Sequence, residues 1–328
     1  MRVAILGAAH WHVGLYYIPA LKSSDAEIVA IHDPDSEVLQ RVGAELDCPR
    51  YTDHAELLDK EAPDLVFAHA PHAHMTELAD ELISRHQPFH MEKPMGVDWA
   101  RLDALAVKAQ TEDVWTSVAL VSRYYGAVEA LRRLKERGEL GTPCHYYHCL
   151  FAGSPHRYRE WGVGWMLDPQ LAGAGPLWNF GPHVIDLYMY LVDPEVAQVE
   201  CCTSHAVHHL PIEDIATIRL LGASGVVGTG EVSYTMPDSY QRFFSLTTDR
   251  FHCGGVDMGR GVVLGRECED IAFDGPDSDT VYDCYVNDTL RRFAAGEPAK
   301  ATIRDMASVL RVMHAARASA RAQAIIAL

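Results

Sequence analysis

Residues 2–12, which read RVAILGAAHWH, contain the pattern that decides the fold of this chain. The first five are an apolar run of strand type, Gly7 follows at once, and Val13 to Leu21 carry apolar residues at helical spacing. A second apolar strand, Glu27 to Ile31, leads to Asp33. A tight turn before a helix can direct backbone N–H groups at a pyrophosphate, and an acid after the second strand can accept hydrogen bonds from a ribose. The stretch therefore favours a dinucleotide-binding unit.

The glycine turn departs from the G-x-G-x-x-G pattern at two positions. Ala9 replaces the second glycine, and its single methyl group still allows close approach to a phosphate. His12 replaces the third glycine and brings a polar ring toward the cofactor. Taken alone, the run is also compatible with an ordinary strand-to-helix turn. The cofactor contacts that it predicts are Gly7, Ala9, His10, Trp11, His12 and Asp33.

Strands and helices alternate up to about residue 120, and this alternation predicts a parallel sheet with right-handed crossovers. The predicted helices are Glu37 to Leu46, Ala55 to Leu58, Met75 to Ser84 and Trp99 to Gln110, and the further strands are Asp64 to Ala70, Pro88 to Met91 and Trp115 to Val121. We expect an α/β protein with a Rossmann domain over residues 1–120.

Beyond Gly126 the pattern changes to one helix followed by longer β-rich stretches. The helix is Val128 to Arg137, and the strands are Pro143 to Phe151, Val196 to Ala206, Ile215 to Leu221, Val226 to Tyr234 and Phe243 to Thr248. Short turns such as residues 222–225 favour an antiparallel or mixed sheet. Residues 121–328 are predicted to form a substrate-binding and oligomerisation domain, with the last helix, Ile303 to Arg321, packing back toward the first domain.

Composition narrows the class of protein. The chain has 328 residues, and its 45 acidic against 28 basic residues argue against nucleic acid or an anionic membrane as a partner. No apolar stretch approaches membrane length, and Met1 and Arg2 lead directly into a strand, which leaves no room for a signal peptide. The eight cysteines show no paired metal spacing, so we interpret them as thiols in a reducing compartment and expect a cytoplasmic protein.

The run His90-Met91-Glu92-Lys93-Pro94 follows an apolar strand and places a lysine where catalysis is expected. Pro94 lacks a backbone donor and has a restricted φ, so the strand must end and the chain must turn. In open parallel sheets, ligands bind beyond the carboxyl ends of the strands. Lys93 is therefore a candidate for chemistry rather than a solvated surface lysine.

These elements together resemble the Gfo/Idh/MocA family of NAD(P)-dependent oxidoreductases, which includes glucose–fructose oxidoreductase and inositol dehydrogenase. The resemblance covers nearly the whole chain and is carried by their order and spacing. They are Val3 to Gly7, Asp33, Ala70-Pro71, Glu92-Lys93-Pro94, Arg123-Tyr124, Gly173-Ala174-Gly175 and Asn179 to Asp186. The resemblance implies a Rossmann domain followed by an α/β domain with a large open sheet, which forms a homodimer or homotetramer through that sheet.

In this family the lysine and a histidine flank the substrate over the nicotinamide, which implies catalytic roles for Lys93 and His183. A histidine can take the hydroxyl proton as hydride leaves a secondary alcohol, and a lysine ammonium can stabilise the developing alkoxide. The family pattern has an aspartate where this chain has Asn179, and a histidine where spacing puts Met75. Asn179 can orient His183 but cannot support an imidazolium. Its other interpretation is a helix N-cap ahead of Pro182.

The resemblance extends the list of candidate site residues. The further cofactor contacts are Ala70, Pro71, His72, Glu92 and Lys93, and the substrate contacts are Arg123, Tyr158 and Trp161. Tyr158 and Trp161 have core packing as their alternative role. Because acidic residues follow the second strand with no arginine before Arg41, we expect NAD in preference to NADP.

Several histidines lie near the predicted strand ends and raise the question of a metal. They are His10, His12, His69, His72, His74 and His90. Imidazoles suit zinc and other transition metals, but the spacings match no closed site, and we assign no metal ligands. The prediction is an NAD-dependent dehydrogenase or reductase acting on a sugar, polyol or related hydroxy compound. The alternatives are a nucleotide- and ligand-binding sensor without turnover, and a metal-assisted enzyme.

Overall fold

The computed structural model of the protein describes residues 1–237 and 239–328 and divides into two compact units. The first unit contains Met1–Ala119, His156–Gly173 and Tyr282–Ser308. The second contains Leu120–Pro155, Ala174–Val281 and Val309–Leu328. None of the helices in the described part of the chain combines the length and apolarity that a membrane span requires.

Fifteen strands are present in the described residues. They are β1 (Arg2–Leu6), β2 (Glu27–His32), β3 (Arg50–Tyr51), β4 (Leu65–Ala68), β5 (Phe89–Met91), β6 (Thr116–Val118), β7 (Pro143–Gly153), β8 (Val196–Ser204), β9 (Ile215–Gly222), β10 (Val227–Met236), β11 (Gln241–Thr248), β12 (Phe251–Gly255), β13 (Arg260–Gly265), β14 (Ile271–Asp274) and β15 (Ile326–Ala327).

The α-helices vary from single turns to twenty residues. They are α1 (Ile18–Lys22), α2 (Ser36–Val42), α3 (His54–Glu61), α4 (His72–Ser84), α5 (Trp99–Thr111), α6 (Gly126–Glu136), α7 (Arg157–Glu160), α8 (Pro169–Ala172), α9 (Pro176–Asn179), α10 (Gly181–Leu191), α11 (Val281–Ala294) and α12 (Ile303–Ala322). Short 3₁₀ helices occupy Gly43–Glu45, Val121–Tyr124 and Gly164–Leu167.

The sheet of the first unit is parallel throughout, with strand order β3-β2-β1-β4-β5-β6. All four residues of β4 are buried, as expected for a central strand with helices on both faces. The carboxyl ends of the strands bring Gly7, Asp33, His69 and Glu92 to one edge of the sheet. The predicted Rossmann architecture is confirmed.

The helix predicted from Val13 to Leu21 differs in detail. Its first part, Val13–Tyr17, is a π-helix, and regular α-helix begins only at Ile18. Such wide turns are frequent at functional sites. The strand predicted from Trp115 to Val121 is also shorter, because it ends at Val118.

The second unit contains a nine-stranded sheet of order β14-β13-β12-β11-β7-β10-β9-β8-β15. Within this sheet, β7 and β10 are the only described strands that pair in parallel, so the predicted antiparallel or mixed sheet is confirmed. Helix α10 packs closely on one face. A Cβ atom on Gly230 would lie 2.2 Å from Val184, which explains why a strand of this sheet carries glycine there.

Candidate active site

The turn after β1 requires its glycine. Gly7 has a φ of +78°, and a Cβ atom there would lie 2.0 Å from the carbonyl oxygen of His69. The N–H of Ala9 donates to Asp33 Oδ2 at 2.7 Å, and the N–H of Asp35 donates to Oδ1 at 3.1 Å. Burial raises the pKa of Asp33, although these two bonds oppose the shift. Each oxygen retains acceptor capacity, so the cradle and the acid fit the ribose and backbone of a dinucleotide.

Aromatic side chains surround the start of the first helix. The rings of His10 and Trp11 stack at 4.1 Å, and Trp11 lies 5.2 Å from the ring of Tyr158. Tyr158 is buried and makes an edge contact with Trp161, which is 42% exposed. The Arg157 guanidinium covers both of these rings. The two predicted substrate residues thus form one cluster, in which Trp161 offers the accessible ring face.

The carboxylate of Glu92 is completely buried and accepts three hydrogen bonds. The Tyr17 hydroxyl donates to Oε1 at 2.8 Å, His12 Nδ1 lies 2.8 Å from the same oxygen, and the N–H of Lys93 donates to Oε2 at 3.1 Å. Burial raises the pKa of Glu92, but His12, His10 and Lys93 together lower it by more, to well below its ordinary value. Glu92 is therefore a carboxylate at neutral pH.

A series of hydrogen bonds, in which each group donates to the next, ends at the Glu92 carboxylate. Because the Tyr17 hydroxyl donates to Glu92, it must accept from His90 Nε2, 3.0 Å away. His90 Nδ1 is then an acceptor, and the Tyr285 hydroxyl donates a hydrogen bond to it at 2.6 Å. Burial lowers the pKa of His90 to about 3, in agreement with a neutral ring. The series holds Glu92 in one place.

Lys93 is buried beside this carboxylate and is only 3% exposed. Burial lowers the pKa of its ammonium group to about 8, although Glu92 raises it. The side chain is therefore mostly charged at pH 7 but able to lose its proton within a unit or two of neutrality. A lysine with this property in a strand-end site is suited to stabilise or exchange a proton with a substrate oxygen.

The remaining histidines near the strand ends each contact a different group. His69 Nδ1 contacts the Leu6 carbonyl, His72 Nδ1 contacts the Ala172 carbonyl at 2.8 Å, and His74 is exposed beside Glu77. Burial lowers the pKa of His72 to about 3. Ala70 and Pro71 lie between β4 and α4, with Pro71 at the N-cap position.

Three of the candidate residues bring metal-ligating atoms together. Donor atoms of His10, His12 and Glu92 all lie within 4.8 Å of one another. Two neutral imidazoles and a carboxylate suit a divalent transition metal. However, His12 and Glu92 already bond each other, and Tyr17 bonds the same carboxylate oxygen. Sequence spacing gave no signal for this group because Glu92 lies 80 residues after His12.

In the second unit, Asn179 is the last residue of α9 and His183 lies in the first turn of α10. The N-cap interpretation of Asn179 is wrong, since Phe180 occupies that position and the Asn179 Nδ2 group donates to the Tyr234 hydroxyl at 3.0 Å. Both Asn179 and His183 are buried. The Tyr234 bond fixes the amide, which is what an orienting role would need.

Arg123 makes a buried ion pair with Asp186. Its Nε and Nη2 atoms donate to the carboxylate at 2.6–3.1 Å, and its guanidinium lies 4.4 Å from the ring of Tyr190. These contacts indicate a structural role for the Arg123 guanidinium. Its predicted contact with substrate stays a prediction, to which this placement lends no support.

Comparison with known families decides the relationship. Residues 1–120 match the oxidoreductase family with an NAD-binding Rossmann fold, and residues 128–251 match the GFO/IDH/MocA C-terminal domain. The chain belongs to the Gfo/Idh/MocA oxidoreductase family. The predicted resemblance, the fold class and an NAD-binding first domain are thereby confirmed.

Two of the curated relatives that the chain matches are sugar dehydrogenases. The chain is 27% identical to D-apiose dehydrogenase of Paraburkholderia graminis over 66% of its own length and 56% of the relative. It is 27% identical to the NADP⁺-dependent D-xylose 1-dehydrogenase of Hypocrea jecorina over 38% of its length and 34% of the relative. The chain spans about half the length of two of the curated relatives that it matches, at 52% and 56%. The fold is that of myo-inositol 2-dehydrogenase from Lactobacillus plantarum, with a TM-score of 0.82, 18% identity, and coverage of 100% of this chain and 99% of that one.

Proposed function

We propose that this Gfo/Idh/MocA protein is an NAD-dependent dehydrogenase that transfers hydride between the nicotinamide and a secondary alcohol or ketone of a sugar, polyol or related compound. The observation that carries the proposal is the buried Lys93 ammonium beside the ionised Glu92. Burying a lysine costs free energy, so a buried lysine is retained where its charge is used. The sugar dehydrogenases among the relatives support the substrate class.

In this mechanism the nicotinamide of a bound NAD would supply the acceptor for the hydride of the alcohol carbon. Gly7, Ala9, Asp33 and the His10–Trp11 pair would hold the dinucleotide, with Ala70, Pro71 and His72 lining the next strand end. His183 takes the hydroxyl proton, and Asn179 orients its ring. The Lys93 ammonium donates a hydrogen bond to the alkoxide oxygen as negative charge develops. In the reverse direction His183 returns the proton.

The test is NADH formation, followed at 340 nm, with a panel of sugars, inositols and hydroxy acids. The parent is compared with Lys93→Met and with the matched control Lys60→Met, which removes an exposed lysine. We expect turnover in the parent and the control, and a loss of about 10²- to 10³-fold in Lys93→Met. Equal turnover in all three proteins would contradict the proposal.

Experiments on the same purified protein distinguish two alternative functions from this one. A sensor of the same fold would bind NAD and ligand without forming NADH, and the asparagine at position 179 is the feature that favours it. A metal-assisted enzyme would use His10, His12 and Glu92, whose donor atoms converge. Loss of turnover on dialysis against a chelator, restored by zinc or another divalent ion, would favour that mechanism.

The second sheet and the cysteines support two inferences, one about the oligomeric state of the protein and one about its cellular location. We infer a homodimer or homotetramer through this sheet, since Val227, Phe243, Val262 and Leu264 are exposed apolar side chains on its strands. Light scattering on the purified protein measures the mass. We also infer a cytoplasmic location, where thiols stay reduced, because the eight cysteines show no paired spacing.

A further inference from the structure

Arg242 on β11 carries a charge that the described residues do not neutralise. Its Nε and Nη1 atoms are buried, and neither has a hydrogen-bond partner among residues 1–237 and 239–328. Nη2 donates to the Tyr240 hydroxyl at 3.0 Å. The guanidinium lies 4.3 Å from the ring of Tyr125 and 5.5 Å from that of Tyr240. Aromatic faces thus hold the group while leaving donors unused.

Such an arrangement is costly unless something accepts those hydrogen bonds. A buried donor without a partner costs free energy, and the cost is larger when it belongs to a charged group. Arg123, in the same unit, shows the usual solution, since Asp186 accepts from it. No carboxylate of the described chain does this for Arg242. An acceptor from outside the protein would complete the site.

The position of Arg242 relates it to the candidate catalytic residues of this unit. Along β11 it shares a face with Phe244, and its Cα partner on β7 is Leu150, which in turn pairs with Val232 on β10. Tyr234, two residues further along β10, accepts the hydrogen bond from Asn179.

Contacts between aromatic rings also connect the neighbourhood of Asn179 with that of Arg242. Phe180, which follows Asn179, lies 5.5 Å from the ring of Tyr234 and 6.2 Å from that of Tyr240, the hydroxyl partner of Arg242. Arg242 therefore lies on the sheet face against which α10 and the Asn179 side chain pack.

We propose that Arg242 binds a carboxylate of the substrate, so that the preferred substrate is a sugar acid or related hydroxy acid. The inference rests on the proposed function and makes its substrate class narrower. One guanidinium between tyrosine rings matches a single negative charge. A phosphate group carries up to two charges and is usually held by several cations or by a helix N-terminus.

The test measures binding separately from turnover. Isothermal titration with NAD⁺ present compares D-gluconate with D-glucitol and D-glucuronate with D-glucose, which differ in the carboxylate. The proteins are the parent, Arg242→Gln, Arg242→Lys and the control Arg219→Gln, whose exposed arginine pairs with Glu200 on the neighbouring strand. We expect the parent and the control to bind at least one acid about 10- to 100-fold more tightly than its neutral partner.

Arg242→Gln is expected to lose this preference, and Arg242→Lys to retain part of it, because a lysine keeps the charge but not the planar donors. Equal binding of acid and neutral partner by the parent would overturn the inference, even if Arg242→Gln failed to fold. Unchanged acid preference in a folded Arg242→Gln would do the same, as would tighter binding of D-glucose 6-phosphate than of both acids.

Failure of the proposed function gives a different result. Carboxylate binding that depends on Arg242 but yields no NADH would support the subsite and contradict the dehydrogenase. NADH formation from neutral sugars, with no preference for acids, would support the dehydrogenase and contradict the subsite.

Discussion

Replacing Lys93 by methionine is expected to stabilise the protein at neutral pH while removing most of its turnover. Burial lowers the pKa of Lys93 from 10.5 to about 8. A difference of this size corresponds to about 3 kcal/mol by which the folded state disfavours the ammonium. Methionine has a similar length and no charge, so the variant removes that cost. The gain has this value as its upper limit, because Glu92 also loses a neighbouring cation that lowers its pKa.

The pH dependence of this effect has a defined direction. The folded protein binds the Lys93 proton less tightly than the unfolded chain, so the parent gains stability as pH rises from about 8 toward 10.5. The full cost is present below pH 8. The stability difference between Lys93→Met and the parent should therefore be largest near pH 7 and mostly lost by pH 10.

Urea denaturation followed by intrinsic fluorescence, at pH 7 and pH 10, measures both points. Lys60→Met serves as control, since Lys60 is exposed and pairs with Glu56 at the surface. A Lys93→Met protein less stable than the parent at pH 7, or a difference that is equal at the two pH values, would refute the reasoning. It would mean that the lysine is stabilised by its surroundings rather than held there at a cost.

Three further predictions concern other parts of the protein. NADP should bind about tenfold more weakly than NAD, because its 2′-phosphate would meet Asp33; equal or tighter NADPH binding in a fluorescence titration contradicts this. Asn179→Asp should move the basic requirement of log kcat/KM to higher pH, because a carboxylate favours the imidazolium form of His183; an unshifted profile removes Asn179 from the mechanism. Arg123→Met should lower the free energy of unfolding by about 3–5 kcal/mol, because it leaves the buried carboxylate of Asp186 unpaired; a loss below about 1 kcal/mol in urea denaturation contradicts the ion pair's role.

Local patterns in the sequence were sufficient to predict the parallel sheet of the first unit. The apolar strand before Gly7, the acid after the second strand and the lysine before Pro94 all depend on neighbours a few residues away. The same reasoning was weaker beyond residue 120. It omitted α11 and the strands β12 to β14, whose half-exposed residues give short and irregular patterns. It also left an N-cap role open for Asn179 beside the orienting role, whereas α10 begins two residues later, at Gly181.

The sequence by itself determined the family, the parallel sheet and the presence of a lysine at a strand end. Only the tertiary structure decided what surrounds that lysine. His12 lies 80 residues from Glu92, and Tyr285 lies 195 residues from His90. Strand periodicity and turn residues act over short separations, whereas a hydrogen bond between distant side chains depends on register and packing. The Arg242 donors that have no partner within residues 1–237 and 239–328 are likewise a property of packing, because only the fold decides which acids approach them.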